Sequence, residues 1–167
     1  LPIFSIAASL TTLVGMFHGA KEYGALRYII KYGIFSALLI TIISSTIVYS
    51  FAGHVVRFFT DDASIVIIAV NFLQIFAFAY PFISVGITTG RVLQGLGKGL
   101  PVLIITIVRV LGVSAPLALF FVFIMNKTVE WVWYSMMLST IVAFAIGLTW
   151  LISTLKTLPT PGQSLNN

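Results

Sequence analysis

Cysteine is absent from the 167 residues, and charged side chains are scarce, at 8% of the chain. A soluble domain carries about 25% charged residues. Without cysteine there is no disulfide framework, no thiolate nucleophile and no cysteine-based metal site. The chain has only four acidic residues and two histidines, so a catalytic dyad or a metal site has few possible members.

Four long stretches carry no charged side chain: residues 32–56, 63–90, 110–126 and 131–155. A helix needs about 20 apolar residues to cross a hydrocarbon core of about 30 Å. The strict alternation of apolar and polar residues that is typical of a barrel strand is missing from these stretches. The sequence therefore predicts an all-α, polytopic membrane protein.

Five transmembrane helices account for the chain. They are predicted at residues 2–17, 28–50, 64–89, 100–125 and 131–155. Together they form one helical unit over residues 1–156, and residues 157–167 are predicted to be a polar cytoplasmic tail. Because the chain opens on Leu1 and the first helix follows at once, we expect a truncation in or just before that helix.

Basic residues indicate the orientation, because short cytoplasmic loops carry an excess of Lys and Arg. Six of them lie at one end of the predicted helices: Lys21, Arg27, Lys31, Arg91, Lys98 and Lys156. Only Arg57 and Lys127 lie at the other end. We therefore expect a multi-pass protein of the plasma or inner membrane with a cytoplasmic C-terminus. The net charge of +5 reflects this topology, and nucleic acid is not expected as a partner.

Residues 13–21 (LVGMFHGAK) resemble the end of the second helix in each half of the transporters of the MATE (multidrug and toxic compound extrusion) family. Residues 59–62 (FTDD) resemble the turn before the fourth helix of that family. Residues 92–98 (VLQGLGK) resemble the turn into the fifth helix, within which Arg109 and Pro116 also match. The resemblance implies that the five helices are the second to sixth of one six-helix half-bundle, with the C-terminal half favoured.

Polar side chains share one face of the third predicted helix: Asn71, Gln74, Pro81, Ser84 and Thr88. An amide is costly in hydrocarbon, so this face should meet either another helix or a water-filled cavity, and both alternatives stay open. With Tyr80 and Arg109, these residues are the candidate substrate-cavity residues. The opposite, apolar face carries Ile83, where a bulky substitution should be tolerated if that face meets lipid. Pro81 should free a carbonyl that a neighbour or water must satisfy.

Arg109 lies about nine residues into the fourth predicted helix, where an unpaired cation costs about 2.5–3.5 kcal/mol or more. It could reach the inner end, face another half of the protein or line a cavity. All four acids lie in loops or at helix edges: Glu22, Asp61, Asp62 and Glu130. Coupling to protons or sodium usually needs a carboxylate at mid-depth. We therefore expect the missing half to bind the coupling ion, and no cofactor, metal site or catalytic residue in this chain.

The resemblance implies a secondary active transporter, a proton- or sodium-coupled antiporter that exports amphipathic or drug-like solutes by alternating access. Its expected partners are the lipid bilayer, a small cationic or amphipathic organic solute, and the missing N-terminal half of the same polypeptide. A lipid-linked sugar flippase of a related family and a non-transporting membrane scaffold are the rival interpretations. An enzyme is not expected, because an intramembrane site needs a nucleophile with a base, or metal ligands, within the helices.

Overall fold

The computed structural model describes residues 2–159, and within this range the chain forms five helices and no strand. In chain order they are α1 (Pro2–Gly19), α2 (Tyr23–Phe59), α3 (Ala63–Gly95), α4 (Gly99–Ile124) and α5 (Glu130–Lys156). The helices α2 to α5 are long and apolar enough to cross a membrane, whereas α1 is shorter. The all-α prediction is confirmed. Most of the predicted tail, residues 160–167, lies outside the described residues.

Two of the helices continue well beyond their predicted bounds. α2 has 37 residues and α3 has 33, which correspond to about 55 and about 50 Å at 1.5 Å per residue. Both exceed a hydrocarbon core of about 30 Å. The prediction ended each helix near the last apolar residues, but helical hydrogen bonds continue through Arg57 and Arg91. Hydropathy therefore marks the membrane span and not the end of the helix.

α4 is not a regular α-helix. It is α-helical at Gly99–Ile107 and Ala115–Leu119 and π-helical at Val108–Ser114 and Phe120–Ile124. Before Pro116, the N–H of Ala115 donates to the carbonyl of Val110, five residues earlier. A proline ring crowds the carbonyl four residues before it, here that of Gly112, and a wider preceding turn relieves this contact. Arg109 lies in this wider segment.

α3 lies at the centre of the bundle and packs against all four other helices. The residues on its buried side are mostly small, and they include Ala77, Ala79, Ser84 and Thr88. A core of larger apolar residues lies towards the C-terminal ends of α1 and α3, next to the start of α2: Leu10, Val14, Leu26, Ile30, Val92, Leu93, Leu96 and Leu151. Small residues let the helices approach, and the apolar cluster fills the space beside them.

Glycines of the two MATE-like segments meet where α1 packs on α3. A Cβ built on Gly95 would lie only 2.7 Å from the carbonyl oxygen of Thr11, and one on Gly15 would lie 3.6 Å from the carbonyl oxygen of Gly95. On the other side of α1, a Cβ on Gly33 would overlap the side chain of Leu10. Gly97 has φ +75° and makes the turn into α4, a conformation that favours glycine. The two sequence segments thus form one contact.

The basic residues gather at one end of the bundle. The guanidinium of Arg27 donates hydrogen bonds to the carbonyls of Leu155 and Leu158, at 3.0 and 3.1 Å. The start of α2 therefore lies beside the end of α5, and the Gly15–Gly95 contact brings the ends of α1 and α3 to the same place. This end contains the six basic residues that the sequence grouped together.

Pro81 interrupts the backbone hydrogen bonds of α3, and α2 compensates for the interruption. Proline has no N–H, so the carbonyl of Ala77, four residues earlier, loses its helical donor. The hydroxyl of Ser45 in α2 donates a hydrogen bond to this carbonyl. Ser45 and Ala77 are both buried. The expectation that a neighbouring group satisfies the carbonyl freed by Pro81 is confirmed.

The Ser45→Ala substitution should therefore lower the free energy of unfolding by about 1–3 kcal/mol, because the buried carbonyl of Ala77 loses its donor. In a Pro81→Ala background the backbone N–H restored at position 81 donates to the carbonyl of Ala77. Ser45→Ala should then lower the free energy of unfolding by much less. A double-mutant cycle of reversible unfolding in detergent measures the difference. The control is Thr46→Ala, since the hydroxyl of Thr46 donates within its own helix, to Ile42. Equal costs of Ser45→Ala in both backgrounds would contradict this interpretation.

Candidate functional site

A cleft opens along α3, and α4 and α5 form its other walls. Its larger part is a cavity of about 370 Å³, to which α1 also contributes the side chain of Phe4. Helices α3, α4 and α5 come together around Gly147. A Cβ built on this glycine would lie 3.7 Å from Thr89 of α3 and 3.8 Å from Ile105 of α4. The absence of a side chain at Gly147 keeps the space between these helices open.

A second cavity, of about 250 Å³, continues the cleft between the same three helices. Ile83, Arg109 and Thr140 line both cavities, so the two spaces adjoin around these residues. Aromatic and Met side chains form much of the second cavity, including Phe76 and Trp133. We refer to the two cavities together as the α4 cleft.

The polar groups of the α4 cleft are cations, an amide and hydroxyls. Arg91 and Gln94 line the larger cavity, and the Arg91 guanidinium donates to the Gln94 amide oxygen at 3.3 Å. Within residues 2–159, no acidic side chain lines either cavity. Arg109 is half-buried, and the described part of the chain offers it no hydrogen-bond or ion-pair partner. The electrostatic character of the α4 cleft is therefore positive.

Three threonines line the cleft and differ in their hydrogen bonds. The hydroxyls of Thr106 and Thr140 donate to the carbonyls four residues earlier in their own helices, each at 2.9 Å. The hydroxyl of Thr89 is buried and has no hydrogen-bond partner among the described residues. Thr89 was missed by sequence analysis. It follows the predicted Thr88, and adjacent residues of a helix point in different directions.

Of the seven candidate cavity residues, Arg109 is the one that lines the α4 cleft. Ser84 is completely buried, and its hydroxyl donates to the carbonyl of Ala37 in α2 at 3.3 Å. Thr88 is also completely buried. Pro81 lines a separate apolar groove between α2, α3 and α5. The remaining three residues, Asn71, Gln74 and Tyr80, are half-buried and do not line the α4 cleft. Contact of these residues with a solute stays a prediction.

The apolar face of α3, opposite the predicted polar residues, faces α5 and the α4 cleft. Ile83 lines both cavities, Ala79 lines the smaller one, and Phe72 packs edge-on against Trp133 at 5.3 Å between ring centroids. Ile83 therefore borders the cleft between the helices. The size of the side chains explains why the cleft lies on this face of α3 and not on the polar face. On the polar face, the small side chain of Ser84 allows α2 to approach closely. The larger side chains of the other face hold α5 and α4 further away, and the cleft lies there.

These features define a multi-pass membrane protein whose helices enclose a cleft within the membrane-spanning part of the bundle. Residues 1–120 match the MatE family model, and the chain belongs to the MatE family. The MATE resemblance of residues 13–116 is therefore confirmed.

Individual relatives and solved structures to which the chain is similar are consistent with its membership of this family. The chain is 29% identical over 118 residues to a probable multidrug resistance protein NorM of Thermotoga maritima, covering 71% of this chain and 25% of that protein. The fold is similar to an outward-facing multidrug resistance MATE family transporter of the MOP superfamily, with a TM-score of 0.84 and 26% identity, covering 94% of this chain and 35% of the other. The fold is also similar to a MOP superfamily transporter from Pyrococcus furiosus, with a TM-score of 0.82 and 25% identity, covering 96% of this chain and 36% of the other. The chain thus spans about a quarter of the length of the curated relatives.

The position of the cleft on the apolar face of α3 can be tested by cysteine accessibility, because this chain has no cysteine of its own. Cys introduced by Ile83→Cys should react with a small water-soluble thiol reagent, since this position lines both cavities. The neighbouring Ser84→Cys should stay unlabelled until the protein is denatured, because Ser84 has no exposed surface. Mass spectrometry of peptides from residues 1–167, which contain no other cysteine, measures both. Labelling of Ser84→Cys but not of Ile83→Cys would restore the sequence-based assignment.

Proposed function

We propose that this chain is part of a secondary active transporter that exports amphipathic or drug-like organic solutes by alternating access. The observation that carries the proposal is the α4 cleft in a chain of the MatE family. The cleft combines apolar and aromatic walls with a few polar groups, which is the usual composition of a site for small organic molecules. The names of the relatives, which include a probable multidrug resistance protein, support the same function.

The small share of each relative that this chain covers supports a second partner, another half of the same polypeptide. One bundle supplies only one wall of a cavity that is exposed to each side of the membrane in turn. The match to the MatE family favours this interpretation over a lipid-linked sugar flippase and over a scaffold.

We further propose that the protein is a proton- or sodium-coupled antiporter whose coupling ion binds outside residues 2–159. The four acids lie at the ends of the helices. Asp62, for example, is exposed and precedes α3, where its carboxylate accepts hydrogen bonds from the N–H of Ser64, at 2.9 Å, and from the Ser64 hydroxyl. The Ser64 hydroxyl and then the N–H hold the pKa of Asp62 below its usual value. Such a group stays ionised near neutral pH and is poorly suited to exchanging protons there.

The distribution of the basic residues supports an orientation in the cell membrane. The end of the bundle that contains Arg27 and Lys156 would face the cytoplasm, together with the C-terminus, and the end that contains Asp61 would face outwards. The solute then leaves the cytoplasm through a cleft whose rim on the inner side includes Arg91.

Filling the α4 cleft should stop transport without unfolding the protein. In the complete reconstituted transporter, we expect Ile83→Trp to reduce gradient-driven efflux of a fluorescent amphipathic dye by about tenfold or more, because the indole occupies the space shared by both cavities. Ser84→Trp should instead reduce the yield of folded protein, because overpacking a buried position costs about 1–3 kcal/mol or more. Dye efflux and size-exclusion profiles separate the two effects.

A matched control is Ile67→Trp, at a position of the same helix that is 62% exposed. This variant should fold and transport like the unmodified protein. Wild-type efflux by Ile83→Trp would contradict the proposed role of the cleft.

The orientation predicts opposite reactivity at two exposed positions. Cys introduced by Asp61→Cys should react with a membrane-impermeant thiol reagent in intact cells, whereas Cys introduced by Thr157→Cys should react only after permeabilisation. Asp61→Cys leaves the Asp62 cap of α3 in place, and Thr157→Cys keeps the backbone N–H that donates to the carbonyl of Thr154 at the C-cap of α5. Labelling in the reverse order would show that the bundle is inserted the other way round.

A further inference from the structure

We propose that the α4 cleft recognises an anionic group, a carboxylate or sulfonate, on the amphipathic solute, and that Arg109 binds this group. The inference rests on the proposed transport function and names the chemical class of its substrate. It departs from the expectation of a cationic solute. The described residues give the cleft two guanidinium groups and no carboxylate, so a cationic solute would meet repulsion there.

The first argument is the energetic position of Arg109. It lies in the π-helical part of α4, half-buried between two cavities, and within residues 2–159 no acid pairs with it. A guanidinium at this depth is costly unless it is solvated or paired. An anionic group that enters the cleft can accept two parallel hydrogen bonds from it, which is the geometry that arginine favours with carboxylates. The attraction increases when the solute displaces water from the cleft.

The second argument is a second guanidinium. Arg91 is exposed and lines the same cavity as Arg109, and its one hydrogen bond among the described residues goes to the neutral amide oxygen of Gln94 at 3.3 Å. A neutral partner leaves the charge of Arg91 uncompensated, so an anionic group in the cleft meets two cations. The threonines of the cleft add no free donor, because Thr106 and Thr140 bond within their own helices and the hydroxyl of Thr89 is buried.

The third argument is the rest of the cleft, which is apolar and suited to the hydrocarbon body of the solute. Phe82 and Phe144 line the larger cavity and stack edge-on at 5.4 Å between ring centroids. The smaller cavity adds Phe76, Trp133 and two methionines. Aromatic and Met walls accept flat or flexible apolar groups without strict shape requirements. Together, the groups describe an amphipathic organic anion with an aromatic or alkyl body.

The test uses three solutes with one naphthalene body and different charges: 2-naphthylacetate, neutral 2-naphthylacetamide and a cationic 2-naphthylmethyl-trimethylammonium. Their affinities for the purified complete transporter are measured by isothermal titration, without an ion gradient. The unmodified protein should bind the acetate about tenfold or more tightly than the amide, as expected for a charge-assisted hydrogen bond. Arg109→Gln should abolish the preference for the acetate over the amide, and Arg109→Lys should keep part of it. Arg109→Glu should make the protein bind the cation more tightly than the acetate.

Two further variants sharpen the result. Arg91→Gln removes the second guanidinium of the cleft and should reduce the acetate affinity but not the amide affinity. Arg57→Gln, at an exposed arginine that does not line the cleft, should leave the ratio unchanged. Because each result is a ratio within one protein preparation, partial loss of folded protein does not change it.

If Arg109→Gln lowered the affinity for all three solutes equally, the proposal would be overturned. Such a result would indicate that Arg109 pairs with a carboxylate elsewhere in the protein. A stronger, Arg109-dependent affinity for decyl phosphate than for naphthylacetate would also overturn it, in favour of a lipid phosphate. Binding is measured without transport, so the two proposals fail separately. Anion-selective binding without efflux would contradict the transporter, and efflux without charge preference would contradict the anion site.

Discussion

Close packing of small residues around α3 is the interaction on which the rest of the structure depends. α3 contacts each of the other helices, and its approach to α1 is possible because Gly95 leaves room for the backbone at Thr11. In hydrocarbon there is little hydrophobic driving force between helices, so van der Waals contact and hydrogen bonds must hold them together. Both operate here, since the hydroxyls of Ser45 and Ser84 bridge α2 and α3. The position of the cleft follows from this packing.

The same packing decides which polar groups are available for function. The hydroxyl of Ser84 joins α3 to α2, and the hydroxyl of Ser45 donates to the carbonyl that Pro81 leaves without a helical donor. The groups that remain free lie on the side of α4 and α5, where larger side chains keep the helices apart. Arg109 lies on that side, half-buried and without a hydrogen-bond partner among the described residues.

The four charge-free stretches were sufficient to predict the four long helices, because long apolar segments can cross a bilayer only as helices or closed barrels. They could not predict the helix ends, since α2 continues through Arg57 in a region where water or headgroups solvate the side chain. The MATE-like segments correctly indicated the family, and their glycines proved to be a single contact between α1 and α3. The candidate site was predicted less well. Polarity alone suggested that Ser84 faces a cavity, but the size of a serine suits a tight helix contact equally well.

The irregular hydrogen bonding of α4 makes one wall of the cleft different from the others. Pro101 is the one residue of α4 that is buried in the described structure, close to the turn that joins it to α3. Beyond that point α-helical and π-helical turns alternate, and half-buried side chains such as Phe121 contact α5, where the ring centroids of Phe121 and Trp131 lie 4.9 Å apart. Conversion of a π-helical turn to an α-helical turn rotates the residues that follow it around the helix axis. A shift of backbone hydrogen bonds along α4 can thus change which side chains line the cleft while α4 and α5 stay in contact.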